Sequence, residues 1–219
     1  MYKHIIFDLD GTLIYSHEGI FKSVIYALSS LGIEPPNEKE IMKFIGPPLE
    51  YSYMNFCGLT NKQCNEAVAL FRERYSDKGI RECLLISGVY QMLRKLSQEG
   101  LNMYIATSKP REYVEIILKD LKIYDYFRYV GAEPLSSKKR DKATVIESVK
   151  KIIGNDFIED IVMIGDRKED VIGAKIAGVD FLGVKYGYAE KNELENAGST
   201  KVFGTVFELQ RFLLQRQEG

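Results

Sequence analysis

Five short apolar runs alternate with amphipathic stretches along this chain, and the alternation limits the folds that the chain can adopt. The runs are HIIFDLD, LNMYIATS, YFRYVGAE, DIVMIGD and DFLGVKYG. Most of them lack the polar alternation of a strand with one exposed face, so they are typical of strands buried on both faces. Helical patterns such as GVYQMLRKLSQEG, PREYVEIILKDL and DKATVIESVKKIIG separate the runs. The pattern predicts an open α/β fold with a parallel sheet.

Residues 15–82 interrupt this alternation, because they show helical signals and no convincing strand. IFKSVIYALSSLG has one apolar face, and Asn37 with Glu40 resembles a capping box that opens EKEIMKFIG. Thr60 and Gln63 open a longer helical pattern in the same way. Nearly seventy residues are far more than a strand-to-helix loop needs. The sequence therefore predicts a core domain made of residues 1–14 and 83–219 and an inserted helical domain at residues 15–82.

Composition narrows the class of protein. The chain has 219 residues, 45% of them hydrophobic, which is enough to bury a sizeable core. Its 30 basic and 31 acidic residues nearly balance, so no basic field favours nucleic acid. No apolar run approaches the roughly 20 residues of a membrane helix, and no signal peptide opens the chain. Cys57, Cys64 and Cys83 lack close metal-ligand spacing and are typical of reduced thiols. We expect a cytoplasmic protein.

Asp8 and Asp10 follow the first apolar run and are separated by one residue. Alternate residues of a strand face the same side, so the two carboxylates would lie close together if the strand continued through Leu9. Two such anions repel by about 4 kcal/mol at an effective dielectric near 20. Protonation of one acid, a loop that separates them, or a cation between them would relieve this repulsion.

Other polar residues follow other predicted strands at their carboxyl ends, where open α/β sheets bind ligands. Thr107 and Ser108 follow MYIA, and Asp166 follows VMIG. Asp170 lies about one helical turn after Asp166, and Lys142 begins the helix that precedes that strand. Carboxylates that converge in a cleft suit a hard divalent cation, and Mg²⁺ is commonly bound by a few carboxylates, waters and a phosphate oxygen. The repulsion between the aspartates would then be offset by a metal ion.

Four motifs occur in a characteristic order: FDLDGT at 7–12, ATSK at 106–109, the lysine in RDKATVI and GDRKED at 165–170. Together they resemble the motifs of the haloacid dehalogenase-like (HAD) hydrolase superfamily. The likeness covers essentially the whole chain, and IGPPLE at 45–50 is similar to a loop of the phosphoglycolate phosphatase-like branch. The resemblance implies a doubly wound, Rossmann-like parallel sheet with an inserted α-helical cap of type one.

The resemblance also implies roles for the aspartates. Asp8 would be the nucleophile that forms an aspartyl phosphate, and Asp10 would act as general acid and then as general base. Mg²⁺ would be bound by the Asp8 carboxylate, the Asp10 backbone carbonyl and Asp166. Asp170 would bind the metal either directly or through water.

The remaining motif residues would bind the phosphate. Gly11, Thr107 and Ser108 would contact its oxygens, and Lys142 would neutralise its charge and steady Asp8. The cations that compete with Lys142 for this role are Lys109, Lys138, Lys139 and Arg140. In the cap, Gly46 and Pro47 are the candidates for setting substrate specificity.

The implied function is a Mg²⁺-dependent phosphatase that hydrolyses phosphomonoesters of small metabolites, phosphoglycolate-like or nucleotide, through an aspartyl phosphate. A hexose phosphate mutase is an alternative, because such relatives also have an acid at the position of Asp10 and a helical cap. A pyrophosphatase is another alternative. A non-catalytic binding module is disfavoured by the complete set of aspartates and Lys142. The expected partner is a small phosphorylated metabolite, with no nucleic acid and no membrane, and the chain would be a monomer or a homodimer.

Overall fold

A computed structural model describes residues 2–137 and 141–215, without the side chains of residues 155–157. The strands in the described residues are β1 (His4–Phe7), β2 (Ile14–Tyr15), β3 (Leu84–Leu85), β4 (Asn102–Ala106), β5 (Phe127–Gly131), β6 (Ile161–Gly165), β7 (Asp180–Val184) and β8 (Val202–Phe203). Six of these strands form one sheet in the order β5-β4-β1-β6-β7-β8, and β2 pairs with β3. The five predicted apolar runs all contribute strands to the larger sheet.

Strand pairing in the larger sheet is parallel throughout the described residues. All residues of β1 and β6 are buried, which explains why these strands are continuously apolar. Phe7 is paired with Ile105 of β4 and with Ile164 of β6. The chain moves from β1 toward one edge through β4 and β5, and then returns to the other side of β1 through β6, β7 and β8. The doubly wound α/β prediction is therefore confirmed.

Helices connect the strands. In the described residues they are α1 (His17–Ser30), α2 (Glu38–Met42), α3 (Leu49–Cys57), α4 (Asn61–Asp77), α5 (Val89–Gln98), α6 (Arg111–Asp120), α7 (Lys142–Ile153), α8 (Lys168–Ala177), α9 (Glu193–Asn196) and α10 (Val206–Gln215). Short 3₁₀ turns lie at Gly79–Arg81, Tyr124–Tyr126 and Asn155–Asp160. None of the helices in this described part is both long and apolar enough to cross a membrane.

Helix α7 illustrates how the helices pack on the sheet. Val145, Ile146 and Val149 lie on one face of α7, and they are buried in a cluster with residues of β1, β4 and β6. The helix begins where the Asp141 carboxylate accepts a hydrogen bond from the Thr144 N–H at 2.9 Å. This packing holds the first residue of α7, Lys142, at the carboxyl edge of the sheet.

The chain divides into two compact units, Met1–Ile14 with Leu85–Gly219, and Tyr15–Leu84. The first contains the six-stranded sheet, and the second contains α1, α2, α3 and α4. In the helical unit, the Asn37 side chain accepts a hydrogen bond from the Glu40 N–H, and Thr60 with Gln63 forms a capping box. The role of the helical unit as a cap stays a prediction.

Some elements have no counterpart in the sequence analysis. Helix α3 begins directly after Pro48, so its first two residues overlap IGPPLE at 45–50, the segment that resembles a loop. Strand β8 has two residues, and β2 and β3 are equally short. Such short strands give no periodic pattern, so only their partners identify them.

Candidate active site

The centre of the site is a group of three buried carboxylates, those of Asp8, Asp166 and Asp170. One oxygen from each lies within 4.8 Å of the others. Asp8 directly follows β1 and Asp166 directly follows β6, and these strands are neighbours in the sheet. The Asp8 N–H also donates to the Ile164 carbonyl at 2.9 Å, which extends the pairing of the two strands by one residue. Strand pairing therefore brings together acids that are far apart in the sequence.

Asp170 reaches this group from the first turn of α8. Its Oδ2 accepts hydrogen bonds from the N–H groups of Asp166 and Arg167, at 3.1 and 3.0 Å. A side chain at Gly165 would collide with the Asp170 carboxylate, so the glycine at the end of β6 permits this approach. Asp170 thus supports the turn that follows Asp166 and also faces the other acids.

Lys142 supplies a buried positive charge to the group. Its Nζ lies 2.5 Å from Asp8 Oδ1 and 2.8 Å from Asp170 Oδ1, and it donates to the Ala106 carbonyl at 3.2 Å. Gly173 of α8 leaves room for its stem, because a Cβ there would lie 2.7 Å from Lys142 Cγ. Of the competing cations, Lys138, Lys139 and Arg140 lie outside the described residues.

The charges of the group do not balance, since three carboxylates face one ammonium. Burial, then the charge of Asp170 and that of Asp10, raise the pKa of Asp8 to about 7, although Lys142 opposes the shift. Burial and the charges of Asp8 and Asp170 raise the pKa of Asp166 well above its ordinary value. Burial disfavours the ammonium of Lys142, but Asp170 and Asp8 outweigh it and raise the pKa of Lys142. An excess of buried carboxylate oxygens fits a divalent cation, which binds such ligands.

Asp10 lies outside this three-carboxylate group. Its two carboxylate oxygens are 3.0 and 3.1 Å from the Nζ of Lys109. The strand β1 ends at Phe7, so the alternation expected through Leu9 is not maintained. A lysine of the ATSK motif therefore neutralises Asp10.

The other predicted phosphate ligands lie at the same edge of the sheet. Thr107 directly follows β4 and is buried, and its Oγ1 accepts a hydrogen bond from the Lys109 N–H at 3.2 Å. Ser108 is half-buried beside it. Gly11 has a φ of +88°, and a Cβ there would overlap Asp166 Oδ2. Glycine at this position therefore serves both the turn and the close approach of Asp166.

Gly46 and Pro47 belong to the helical unit, between α2 and α3. Gly46 has a φ of +107°, in the region that favours glycine, and Pro48 is the N-cap of α3. Their predicted role in substrate specificity stays a prediction.

Sequence reasoning missed two groups that contact Asp166. Thr12 is fully buried and donates from Oγ1 to Asp166 Oδ1 at 3.3 Å. The Tyr188 N–H donates to Asp166 Oδ2 at 2.6 Å. Tyr188 lies shortly after the carboxyl end of β7, which is the kind of position at which open α/β sheets bind ligands. The sequence does not identify Tyr188, because its backbone N–H makes the contact and not its side chain.

The fold and the site define a class, a doubly wound α/β protein with a buried aspartate-based centre, and comparison with known proteins gives the family. The profile of the haloacid dehalogenase-like hydrolase family matches residues 5–184, and the chain belongs to this family. The resemblance of its four motifs is thereby confirmed.

Relatives and solved structures are similar along most of the chain. A 5'-nucleotidase of Pseudomonas aeruginosa is 35% identical over 88% of this chain and 87% of its own. Phosphoglycolate phosphatase 1 of the same organism is 30% identical over 94% of this chain and 77% of its own. The crystal structure of a predicted phosphatase from Clostridium acetobutylicum has a TM-score of 0.90 and 34% identity, and covers 98% of this chain and 99% of its own. The chain is accordingly a phosphatase of the haloacid dehalogenase-like family.

Proposed function

We propose that the protein is a Mg²⁺-dependent phosphatase of small phosphorylated metabolites that acts through an aspartyl phosphate at Asp8. The observation that supports this most is the buried group of Asp8, Asp166 and Asp170 with Lys142 between two of its members. A structural ion pair would need one acid for one base. Three acids around one lysine make a site with spare oxygen ligands, at the edge of the sheet where α/β proteins bind ligands.

Asp8 attacks the substrate in this proposal. A carboxylate oxygen of Asp8 forms a bond to phosphorus while the bond from phosphorus to the leaving oxygen breaks. Lys142 holds the Asp8 carboxylate at 2.5 Å and stays charged, so it orients the nucleophile and attracts the phosphate. Thr107 and the backbone near Gly11 bind the phosphoryl oxygens.

Asp10 moves the protons. It gives a proton to the leaving oxygen in the first step, and as a carboxylate it takes one from the water that attacks phosphorus in the second. That attack breaks the bond between phosphorus and Asp8 and releases phosphate. Lys109 binds both carboxylate oxygens of Asp10 and so limits its rotation.

Asp8, Asp166 and Asp170, with the backbone carbonyl of Asp10, are the residues that would hold Mg²⁺. The ion supplies positive charge that stabilises the phosphoryl group in the transition state. Asp170 already accepts two backbone N–H groups and pairs with Lys142, which favours a contact through water for this residue.

We propose phosphoglycolate-like compounds and nucleoside monophosphates as the substrate classes, since similar proteins have these activities by name. The helical unit, with Gly46 and Pro47, would determine the choice between them. Both classes present a phosphomonoester, so the chemistry at Asp8 is the same for each.

A panel of phosphorylated compounds tests the proposal. Purified protein is assayed for phosphate release from 5'-nucleotides, phosphoglycolate, hexose phosphates and pyrophosphate, with Mg²⁺ and with a chelator. We expect Mg²⁺-dependent release from phosphomonoesters, and its loss in Asp8→Asn. Isomerisation of a hexose phosphate without release would favour the mutase. Preference for pyrophosphate would favour a pyrophosphatase, and no reaction with any compound would favour a binding module.

A further inference from the structure

The segment from Tyr186 to Tyr188, which begins two residues after the end of β7, lies against the motif residues of the site. The Tyr188 N–H donates to Asp166 Oδ2, and the Tyr186 hydroxyl donates to the Thr12 carbonyl at 3.3 Å. A Cβ on Gly187 would overlap both Asp166 Oδ2 and the Gly11 carbonyl oxygen. The segment therefore contacts the loops that follow β1 and β6.

Glu193 connects the chain that follows this segment to the loop that follows β6. Its Oε1 accepts hydrogen bonds from Arg167 Nε and from the Lys168 N–H, both at 2.9 Å. Its Oε2 accepts one from the Glu190 N–H at 3.0 Å. One carboxylate thus joins the two residues that follow Asp166 to the chain that follows Tyr188.

The environment of Glu193 favours its charged form. Its side chain is 10% exposed and that of Arg167 is 18% exposed, so the ion pair is largely shielded from water. Burial opposes the charge of Glu193, but the N–H groups of Glu190 and Lys168 and the guanidinium of Arg167 outweigh it and lower the pKa of Glu193. Hydrogen bonds to a charged group are stronger than those between neutral groups, so this connection is a strong one.

We propose that Glu193 is a positioning residue for Asp166, and that the affinity of the site for a divalent cation depends on it. Glu193 holds the segment so that the Tyr188 N–H and Gly187 meet Asp166 Oδ2. This contact occupies Oδ2 of Asp166 and leaves the other oxygen, Oδ1, in contact with Thr12. The inference rests on the proposed function, because it takes Asp166 to be a metal ligand.

The size of the effect follows from the general behaviour of groups that orient metal ligands. Loss of such an outer hydrogen bond typically weakens metal binding about 10-fold to 100-fold. Glu193 acts on Asp166 through the backbone of the segment, so we expect a loss of about 10-fold. Glu193 is not among the residues proposed to bind the phosphate, so KM for substrate at saturating metal is expected to stay within about 2-fold, well below the loss in metal affinity.

The matched control is on the same short helix. Glu195 lies two residues further along α9 and pairs with Lys185 in an exposed ion pair at 2.6 Å. Glu195→Gln removes the same charge from the same element without touching Asp166. Gly187→Ala perturbs Asp166 Oδ2 directly, by steric overlap, and leaves the Glu193 carboxylate in place.

Calorimetric titration of the metal-free full chain with Mn²⁺, and separately with Mg²⁺, tests the inference. We expect Glu193→Gln and Gly187→Ala to bind about 10-fold more weakly than wild type, and Glu195→Gln to bind like wild type. The melting temperature of each metal-free variant shows that it is folded. Wild-type affinity in folded Glu193→Gln, or in folded Gly187→Ala, would overturn the inference and leave the proposed function intact. If the wild-type chain itself binds neither metal, both fail.

Discussion

Lys109 Nζ lies 3.0 and 3.1 Å from the two carboxylate oxygens of Asp10, and the lysine side chain is only 7% exposed. The residues are 99 positions apart in the chain and meet because β1 and β4 are neighbours in the sheet. Lys109 therefore gives Asp10 a counter-ion of its own, distinct from Lys142, which pairs with Asp8 and Asp170. In the proposed mechanism it orients the group that moves protons.

Lys109→Met should lower kcat, because Asp10 then rotates freely and its proton transfer is less often aligned. General acid and base catalysis contributes about 10²-fold to 10⁴-fold, and loss of orientation should remove about 10-fold of it. Steady-state kinetics with an alkyl phosphate measures the change. Lys175→Met, at an exposed lysine of α8, is the control and should react like wild type. An unchanged kcat in Lys109→Met would remove Lys109 from this role.

Lys142→Met should abolish most activity and destabilise the metal-free protein. The substitution leaves Asp8 and Asp170 buried without their counter-ion, which costs about 3 kcal/mol. Loss of a phosphate-stabilising charge lowers kcat by about 10²-fold to 10³-fold. Thermal unfolding and kinetics measure the two effects. Lys151→Met, at an exposed position of the same helix, should show neither, and a fully active Lys142→Met would refute the assignment.

Asp166→Asn should abolish metal binding but should stabilise the metal-free protein. Burial and the charges of Asp8 and Asp170 raise the pKa of Asp166, so this carboxylate destabilises the metal-free fold. Its removal should raise the melting temperature of metal-free protein by about 2–4 °C, which corresponds to roughly 1 kcal/mol at this chain length. The added stabilisation by Mg²⁺ in wild type should disappear in the variant. A lower melting temperature without metal would contradict this account of the site's charge.

The helical unit should lose stability in acid through the ion pairs that Glu82 makes with Arg74 and with Lys22. Arg74 donates to both oxygens of Glu82, at 2.8 and 3.0 Å, and this hydrogen bonding is the largest cause of the lowered pKa of Glu82. A lowered acid pKa stabilises the fold above the unfolded value of 4.5 and loses that contribution as pH falls through the folded pKa. Glu82→Gln should therefore cost about 1 kcal/mol at pH 7 and much less near pH 3. Melting curves at both pH values check this, and equal costs would exclude these ion pairs as the cause.

The sequence predicted the sheet because its strands are apolar on both faces and end in polar residues. The same property identified Asp8, Thr107 and Asp166, each of which directly follows a strand of the sheet. Lys142 and Asp170 were found as first-turn residues of helices. The local sequence pattern is enough to predict these site residues, because the position of each residue is set by a single strand or a single helix.

The contacts that sequence reasoning missed depend on elements that meet only in the folded chain. The Tyr188 contact uses a backbone N–H, which every residue has, and two of the three donors to the Glu193 carboxylate are also backbone N–H groups, so residue type does not reveal these contacts. The pairing of Lys109 with Asp10 requires that the strand end at Phe7, a boundary that the apolar pattern left open. Helix α3 was obscured by the two prolines before it, because Pro favours loops as well as first turns.

A covalent phosphate on Asp8 tests the central claim most directly. Asp10→Asn is mixed with an aryl phosphate, whose phenolate leaves without needing a proton, in the presence of Mg²⁺. The protein is then reduced with borohydride, which converts an aspartyl phosphate to homoserine, and its peptides are analysed by mass spectrometry. We predict conversion at Asp8 in Asp10→Asn, because without its general base the intermediate accumulates. Conversion at another residue, or phosphate release by the variant at the wild-type rate with none at Asp8, would contradict the account.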